Sequence, residues 1–476
     1  MGAGPNGLAA AIVLVEAGRR VLVLEANAEV GGAARTAELT RAGFLHDLGS
    51  TTHPLAAASP FFRQLPLAAH GLEWIQPDLP LAHPLDGGRA VLHHRSLEKT
   101  ATGLGDDADA WRALFGPLVE DWPRLEDDVL RPLLHWPRHP IALARFGLAA
   151  LPSAERLASR FATTEARALF AGHAAHSLLP LDRVASASFG LVLGTLAHRV
   201  GWPFPRGGAG RITAALASYL RSLGGEIETG RRIGSLEELP SSRHVLFDLT
   251  PRQVVEIAAD ALPRRPRRAL ERYRYGAAAF KVDWALDGPI PWTNPACAGA
   301  GTVHVGGTLE EIAAGERAVA DGGVPEAPFV LLAQHSLFDP IRAPEDTQTA
   351  WAYCHVPNGS TADMTARIEA QIERFAPGFS GRILERAVSS PADLERQNAN
   401  LVGGDINGGA QDLAQMLARP LLSPRPYRLA RRTTGASGSG GAPGLYLCSS
   451  STPPGGGVHG MCGWHGARTL LRDDRR

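Results

Sequence analysis

Three glycines near the start of the chain have the spacing of a phosphate-binding loop. Gly2, Gly4 and Gly7 form the pattern G-x-G-x-x-G. The apolar residues 8–20 that follow predict a buried helix. Glycines let the backbone approach a pyrophosphate closely, and the helix N-terminus adds N–H donors and partial positive charge. Glu25 ends the next apolar run, 18 residues after Gly7, where an acid that binds ribose hydroxyls is expected. The pattern predicts a dinucleotide site.

A glycine pair after this acid indicates which dinucleotide is bound. Gly31 and Gly32 follow Glu25 closely, and Arg35 stands three residues after the pair. The order of strand, acid, glycine pair and Arg-Thr resembles the FAD signature of glutathione-reductase-like and amine-oxidase-like flavoproteins. The resemblance implies that Gly31, Gly32 and Arg35 lie along the FAD pyrophosphate.

Two further segments are assigned to FAD by the same resemblance. Gly49 and Ser50, in the stretch GFLHDLGSTTHP, are expected on the flavin side. A helix predicted from about residue 212 to 223 is followed by a short strand, and the resemblance implies a backbone contact from Ile233 to the adenine. An ordinary α/β unit would explain this second pattern almost as well.

The C-terminal segment GLYLCSSSTPPGGGVHGMCGWHGARTLL is the second strong motif of the chain. It predicts a strand, a tight glycine turn and then a helix. A helix that starts just after Gly455, Gly456 and Gly457 would point its positive end at the flavin, which would stabilise the charge that develops on reduction. Val458 and Ser449 flank this turn and are expected to contact FAD.

These blocks together resemble the phytoene-desaturase-like, carotenoid-desaturase-related FAD oxidoreductases along nearly the whole chain. The sequence departs from the family at Ser449 and Ser451, where members often carry glycine. In this family the flavin carries the hydride chemistry and the protein orients the substrate. His53 and His459 lie in segments expected near the flavin ring, so either is a candidate to move a proton.

The elements that position these residues predict an α/β fold. The expected arrangement is a discontinuous Rossmann-like FAD-binding domain and a mixed α+β substrate domain. The FAD-binding domain comprises residues 1–75, 201–269 and 426–476. Residues 76–200 predict a mostly helical region, and residues 270–425 predict the sheet and helices of the substrate domain.

We expect the first strand of the FAD-binding domain to be truncated in this sequence. Such a glycine loop normally follows a buried central strand, but only Met1 precedes it. We expect the natural chain to begin several residues upstream. The alternative is a truly shortened chain that binds its cofactor poorly.

The composition of the chain argues against some classes of binding partner. Lys plus Arg equals Asp plus Glu, at 48 each, so long-range charge favours no nucleic acid. The four cysteines are scattered without a C-x-x-C motif, which argues against zinc and disulfides and favours a cytoplasmic protein. No metal-ligand cluster is recognisable. Trp111, Phe115, Leu118 and Trp122 recur on one helix face, which favours core packing over membrane docking.

The combined prediction is an FAD-dependent dehydrogenase or desaturase. It would take a hydride from a C–H of a lipophilic small molecule, leave a C=C bond, and pass electrons to oxygen, a quinone or a nicotinamide. Weak peripheral membrane contact is compatible with such a substrate. The alternatives are a flavin amine oxidase, an isomerase that uses reduced FAD without net oxidation, and a redox-silent FAD-binding protein.

Overall fold

The computed structural model describes residues 1–433 and 441–475. The strands of these residues are β1 (Leu22–Leu24), β2 (Thr36–Glu38), β3 (Leu45–Asp47), β4 (Trp74–Ile75), β5 (Leu79–Leu85), β6 (Arg89–His93), β7 (Phe204–Pro205), β8 (Glu226–Glu228), β9 (His244–Phe247), β10 (Ala278–Leu286), β11 (Ala300–Val305), β12 (Val330–Ala333), β13 (Gln348–Val356), β14 (Ile383–Ser389), β15 (Arg428–Ala430) and β16 (Gly444–Leu447).

The described residues also form α-helices. They are α1 (Pro5–Glu16), α2 (Pro54–Ala58), α3 (Leu97–Gly103), α4 (Ala108–Val129), α5 (Pro140–Ala150), α6 (Ala154–Ala158), α7 (Thr164–Ala175), α8 (Ala187–Arg199), α9 (Gly210–Ser222), α10 (Pro251–Ala258), α11 (Arg264–Glu271), α12 (Leu309–Ala320), α13 (Thr365–Phe375), α14 (Pro391–Gln397), α15 (Leu413–Leu417) and α16 (Met461–Asp474). No helix of the described residues is both long enough and apolar enough to cross a membrane.

Two groups of strands, β1 with β8 and β15 with β16 and β9, form what we call the parallel layer. The first residues of the chain connect the two groups. β1 pairs in parallel with β8, and β16 pairs in parallel with β9 and antiparallel with β15. The Met1 amino group donates to the carbonyl of Leu246 at 2.7 Å, and the Met1 carbonyl accepts from the amide of Asp248 at 2.8 Å. The Gly2 amide donates to the carbonyl of Leu24 at 2.8 Å. Residues 1–3 thus lie between β1 and β9 and continue the layer.

Helices α1 and α16 pack against each other so closely that a glycine is required between them. A Cβ atom on Gly463 of α16 would lie 1.9 Å from the carbonyl oxygen of Asn6 in α1. One hydrophobic core contains the fully buried side chains of Leu8 and Ile12 from α1 and of Leu216 from α9. The contact fixes the N-terminal loop relative to the C-terminal helix.

A seven-stranded sheet combines strands from residues 79–93 with strands from residues 278–389, in the order β14-β10-β13-β12-β11-β5-β6. Only the β11–β5 pair is parallel among these strand pairs. Side chains of a strand alternate between the two faces. Phe280, Val282 and Trp284 of β10 therefore enter a core with α13, whereas Ala279 and Lys281 line a cavity on the other face.

The helices between residues 97 and 199 share one core with β5, β6 and α12. Trp111, Phe115, Leu118 and Trp122 of α4 are all buried in it, with exposures of 3% or less. The predicted core face is thus confirmed. These side chains fill the space between α4 and the neighbouring helices, which leaves them no role at a membrane.

The start of the C-terminal helix differs from the expectation. α16 begins at Met461, and the residues directly after Gly457 are bends. Gly460 has φ +69°, a left-handed conformation that favours glycine and that a helix interior does not allow. The expectation of a helix directly after the glycine turn was therefore wrong by three residues.

Candidate active site

The glycine loop is packed so tightly that side chains are excluded from it. Gly2 has φ +91°, and a Cβ atom on Gly7 would lie 2.1 Å from the Gly2 carbonyl oxygen. A Cβ atom on Gly4 would lie 2.8 Å from Oδ2 of Asp248. Helix α1 begins at Pro5, and its N-cap residue Gly4 has no side chain to cap it, so its N-terminus faces the loop. Oδ2 of Asp248 accepts a hydrogen bond from the Gly7 amide of this first turn. This is the geometry that suits a pyrophosphate.

Glu25 is positioned at the carboxyl end of β1. Its carboxylate accepts hydrogen bonds from the amide of Ala3 at 2.7 Å and from the amide of Asn27 at 2.9 Å. An ionised carboxylate has about four acceptor positions, so this side chain retains capacity for ribose hydroxyls. Glu25 and Ile233 line the same narrow cleft at the end of the parallel layer.

The second glycine pair lies directly against the loop. The Gly31 amide donates to the carbonyl of Ala3 at 2.9 Å, and a Cβ atom on Gly32 would lie 3.3 Å from the Cα of Gly4. Arg35 donates to the carbonyls of Gly32 at 3.0 Å and Gln397 at 2.9 Å. Its guanidinium thus supports the pair from behind, and its predicted contact with a phosphate stays a prediction.

A larger cavity of about 470 Å³ continues from the cleft towards the seven-stranded sheet. Gly4, Gly32 and Asp248 border both spaces, so the two form one elongated site. The predicted residues on the wall of the large cavity are Gly49, Ser50, His53, Ser449, Gly456, Gly457, Val458 and His459. Gly2, Glu25 and Ile233 line the cleft. Gly7, Gly31, Arg35 and Gly455 lie behind these walls.

Both candidate histidines are buried and neutral near pH 7. Burial is the main cause that lowers the pKa of His53 to about 4 and that of His459 to about 4. Nε2 of His53 lies 3.1 Å from Oγ of Ser50. Nδ1 of His459 accepts from the amide of Met461 at 3.0 Å, which leaves the proton on Nε2. Each ring can exchange a proton only on its remaining side.

Lys281 is a functional candidate that the sequence prediction missed. Its side chain is 2% exposed, it faces the cavity from β10, and its ammonium pairs with the carboxylate of Asp283. The ammonium also lies 5.5 Å from the ring centre of Trp351. Burial lowers the pKa of Lys281 and raises the pKa of Asp283 to about 6. A single lysine in an alternating strand resembles a surface residue, so only the fold reveals its position.

Arg419 is a second missed residue. It is 2% exposed and lies on the cavity wall next to the glycine turn. Its guanidinium donates to the carbonyls of Asn407 at 2.6 Å and Ser450 at 2.8 Å. In the part of the chain that the structure describes, this guanidinium forms no ion pair, so its charge is available to a neighbouring anion.

Unpaired polar atoms on the cavity wall fit a large polar cofactor. Oδ1 of Asn6, Nδ1 of His53 and Nδ2 of Asn407 are buried, and none has a hydrogen-bond partner in the part of the chain that the structure describes. Buried polar atoms of this kind are costly unless a ligand or water satisfies them. Together with the glycine loop and Glu25, they fit FAD.

The comparison with known families agrees with this geometry. Residues 6–262, more than half of the chain, match the family described as flavin-containing amine oxidoreductase, and the chain belongs to that family. It is an FAD-dependent oxidoreductase with a phytoene-desaturase-like sequence.

Three relatives show how far the similarity extends. Pyridine nucleotide-disulfide oxidoreductase domain-containing protein 2 of Rattus norvegicus is 26% identical over 99% of this chain and 93% of its own length. Phytoene dehydrogenase of Streptomyces griseus is 26% identical over 94% of this chain and 91% of its own. The solved structure of putrescine oxidase bound to putrescine superposes with a TM-score of 0.60 at 17% identity, over 100% of this chain and 98% of that chain. The last similarity concerns the fold alone.

Proposed function

We propose that the enzyme removes a hydride from a C–H bond of a lipophilic small molecule and leaves a C=C bond. The apolar wall of the large cavity is the observation that carries this proposal. The lining side chains include Leu143 and Phe146 of α5, Phe189 and Val192 of α8, and Trp202 after α8. Apolar walls suit an apolar ligand, and these side chains line the cavity in addition to the residues assigned to the cofactor.

The residues of the chain would hold the cofactor and move a proton. FAD, when bound, supplies the hydride acceptor. Loss of a hydride from one carbon requires loss of a proton from its neighbour, so a base must face the substrate. Burial lowers the pKa of His53 to about 4, so its ring is neutral above about pH 5, and its Nδ1, which has no hydrogen-bond partner among the described residues, can accept a proton. His459 is neutral for the same reason, but its Nδ1 accepts from the Met461 amide, so it can only donate the proton on Nε2. Lys281 also faces the cavity, where its ammonium is paired with the carboxylate of Asp283.

An anaerobic single-turnover experiment tests the reaction. The purified enzyme with its FAD is mixed with a polyene or terpene hydrocarbon, and the oxidised-flavin absorbance is followed. The proposal expects bleaching of the absorbance and a product two mass units lighter than the substrate. A product of unchanged mass would indicate the isomerase alternative. Adding oxygen, a quinone or NAD⁺ to the reduced enzyme then identifies the electron acceptor.

Amine oxidation is the second candidate. Trp351 and Tyr353 line the cavity with ring centres 5.4 Å apart, and such an aromatic pair could hold an amine. The ammonium of Lys281 lies against the same Trp351 ring and would repel a protonated amine. Faster flavin bleaching with primary amines than with hydrocarbons would favour this candidate.

We also propose that the segment 133–151 contacts a lipid surface and admits the substrate. Trp136 is 91% exposed, and Ile141 and Leu148 are each 78% exposed. Leu133 and Phe146 of the same segment line the cavity, so the exposed patch continues into the cavity wall. Large exposed apolar patches commonly mark such contacts.

Vesicle flotation tests this contact. Wild type should float with vesicles of phosphatidylcholine and phosphatidylglycerol, and the double variant Trp136→Glu with Ile141→Glu should remain at the bottom of the gradient. Leu422→Glu is the matched control, since Leu422 is 73% exposed but lies outside the segment. Equal flotation of all three proteins, or none by the wild type, would contradict the proposal.

The four cysteines support a reducing compartment such as the cytoplasm. Cys297, Cys354, Cys448 and Cys462 are all buried free thiols. Burial raises the pKa of Cys462 to about 11, so its thiolate is scarce near neutral pH and a covalent link to flavin is not favoured. Release of FAD on acid precipitation of the protein would agree with non-covalent binding.

A further inference from the structure

Asp248 places a carboxyl group on the glycine loop itself. It follows β9, and its Oδ2 atom accepts a hydrogen bond from the amide of Gly7 at 2.8 Å. The same oxygen lies 2.8 Å from the position of a Cβ atom on Gly4. Asp248 is 6% exposed and borders both the cleft and the large cavity. The carboxyl therefore shares the N-terminus of α1 with the expected pyrophosphate.

Few positive charges surround Asp248, so the negative charge of its ionised carboxylate is poorly compensated. Within the described residues no Arg or Lys side chain forms an ion pair with it. The groups that face it are the Met1 amino group from residues 1–3, Glu25 at the end of β1, and the thiols of Cys448 after β16 and Cys462 on α16. Burial is the main cause that raises the pKa of Asp248 to about 7, against the opposing effect of the Gly7 hydrogen bond and the Met1 amino group.

We propose that Asp248 is an FAD-binding residue that holds the cofactor as the neutral carboxylic acid, so that FAD binding takes up one proton at this side chain. The pyrophosphate of FAD is an anion, and two anions at one helix N-terminus repel each other. Protonation removes the charge of the carboxyl and gives it a hydrogen that can be donated. The loop then presents only hydrogen-bond donors to the pyrophosphate.

Proton linkage gives this inference a measurable consequence. At a pH above about 7 the free carboxyl is ionised, and FAD must then bind together with a proton. The dissociation constant of FAD should therefore rise up to roughly tenfold per pH unit, or roughly 50-fold between pH 7 and 9. Below about pH 6 it should be nearly independent of pH, since the carboxyl is already protonated.

The test is a titration of the FAD-free full-length protein with FAD from pH 6 to 9, followed by quenching of flavin fluorescence. Asp248→Asn keeps an acceptor for the Gly7 amide but cannot titrate, so its dissociation constant should change less than about threefold over this range. Asp405→Asn is the matched control. Asp405 is another buried carboxyl with a raised pKa, and it accepts from the amides of Gly276 and Gly409 instead of the loop. It should keep the wild-type slope.

A second measurement keeps the inference testable if Asp248→Asn does not fold. Calorimetry of FAD binding to the wild type in buffers of different ionisation enthalpy should give an uptake of close to one proton at pH 8. No uptake, or the wild-type slope retained in Asp248→Asn, would overturn the inference and assign any slope to another group such as the Met1 amino group. The inference rests on the FAD-binding part of the proposed function. Absence of FAD binding at every pH would overturn both, whereas pH-independent binding would overturn the role of Asp248 alone.

Discussion

Replacement of Gly463 by alanine tests the close packing of α16 against α1. The new Cβ atom would lie 1.9 Å from the Asn6 carbonyl oxygen and 2.9 Å from the Ala10 amide nitrogen. Normal carbon–oxygen contact needs roughly 3.2 Å, so α16 must move away from α1 by on the order of 1 Å. Both partners at the contact are backbone atoms in helices, which cannot yield as a flexible side chain would.

The expected change in the free energy of unfolding is the sum of two opposing effects. Alanine in place of glycine favours a helix by about 1 kcal/mol. Overpacking against backbone should outweigh this gain and leave a net loss of about 3 kcal/mol, at the upper end of such substitutions. At roughly 2–4 °C per kcal/mol for a unit of 150–250 residues, the temperature of flavin release should fall by about 6–12 °C. The flavin content after gel filtration should also decrease.

Gly147→Ala is the matched control. Gly147 lies inside helix α5, and a Cβ atom there would meet no atom within 4 Å. This substitution should be neutral or stabilise the protein by up to about 1 kcal/mol. The assay is flavin fluorescence during a thermal ramp of the three purified proteins. If Gly463→Ala releases flavin at the wild-type temperature, the packing of α1 against α16 described above is refuted.

Three further predictions concern titration, charge and capping. Burial lowers the pKa of His459 from 6.5 to about 4, so its stabilising effect is complete above pH 6.5 and is lost as the pH falls towards 4. In urea unfolding, the wild type should therefore lose about 2 kcal/mol more than His459→Asn between pH 7 and 5, and equal losses would contradict the assignment. Lys281→Met leaves the buried carboxylate of Asp283 unpaired and should lower the free energy of unfolding by about 3 kcal/mol, whereas adding Asp283→Leu should restore most of it. Asp107→Ala removes the acceptor for the amides of Ala162 and Thr163 and should cost about 1–3 kcal/mol. The exposed neighbour Asp106→Ala should change the free energy of unfolding by less than about 0.5 kcal/mol.

The nucleotide side of the fold could be predicted from the sequence because its signals are local. The glycine loop, the helix after it and Glu25 lie within the first 25 residues, and the periodicity of each element is intact. The core face of α4 was visible for the same reason. The start of α16 was misplaced because GGGVHG contains several glycines that could end the turn, and only the left-handed φ of Gly460 decides between them.

The contacts of the seven-stranded sheet and of the cavity wall could not be predicted as well, because they join residues that are far apart in the sequence. Lys281 and Trp351 meet on one face only through the pairing of β10 with β13, which joins residues about 70 positions apart. Arg419 approaches the glycine turn through a loop without a local pattern. Asp248 directly follows β9, and its contact with Gly7 spans 241 positions. Such pairings depend on the order of strands, which periodicity does not contain.

The visible absorption spectrum of the freshly purified protein, followed by anaerobic addition of a hydrocarbon substrate, tests the central claim most directly. The account predicts an oxidised-flavin spectrum near one FAD per chain and bleaching of that spectrum by a polyene or terpene. A protein that shows no flavin and gains none when FAD is added would contradict the account. A flavin spectrum that bleaches with amines but not with hydrocarbons would contradict the proposed substrate class and leave the cofactor assignment intact.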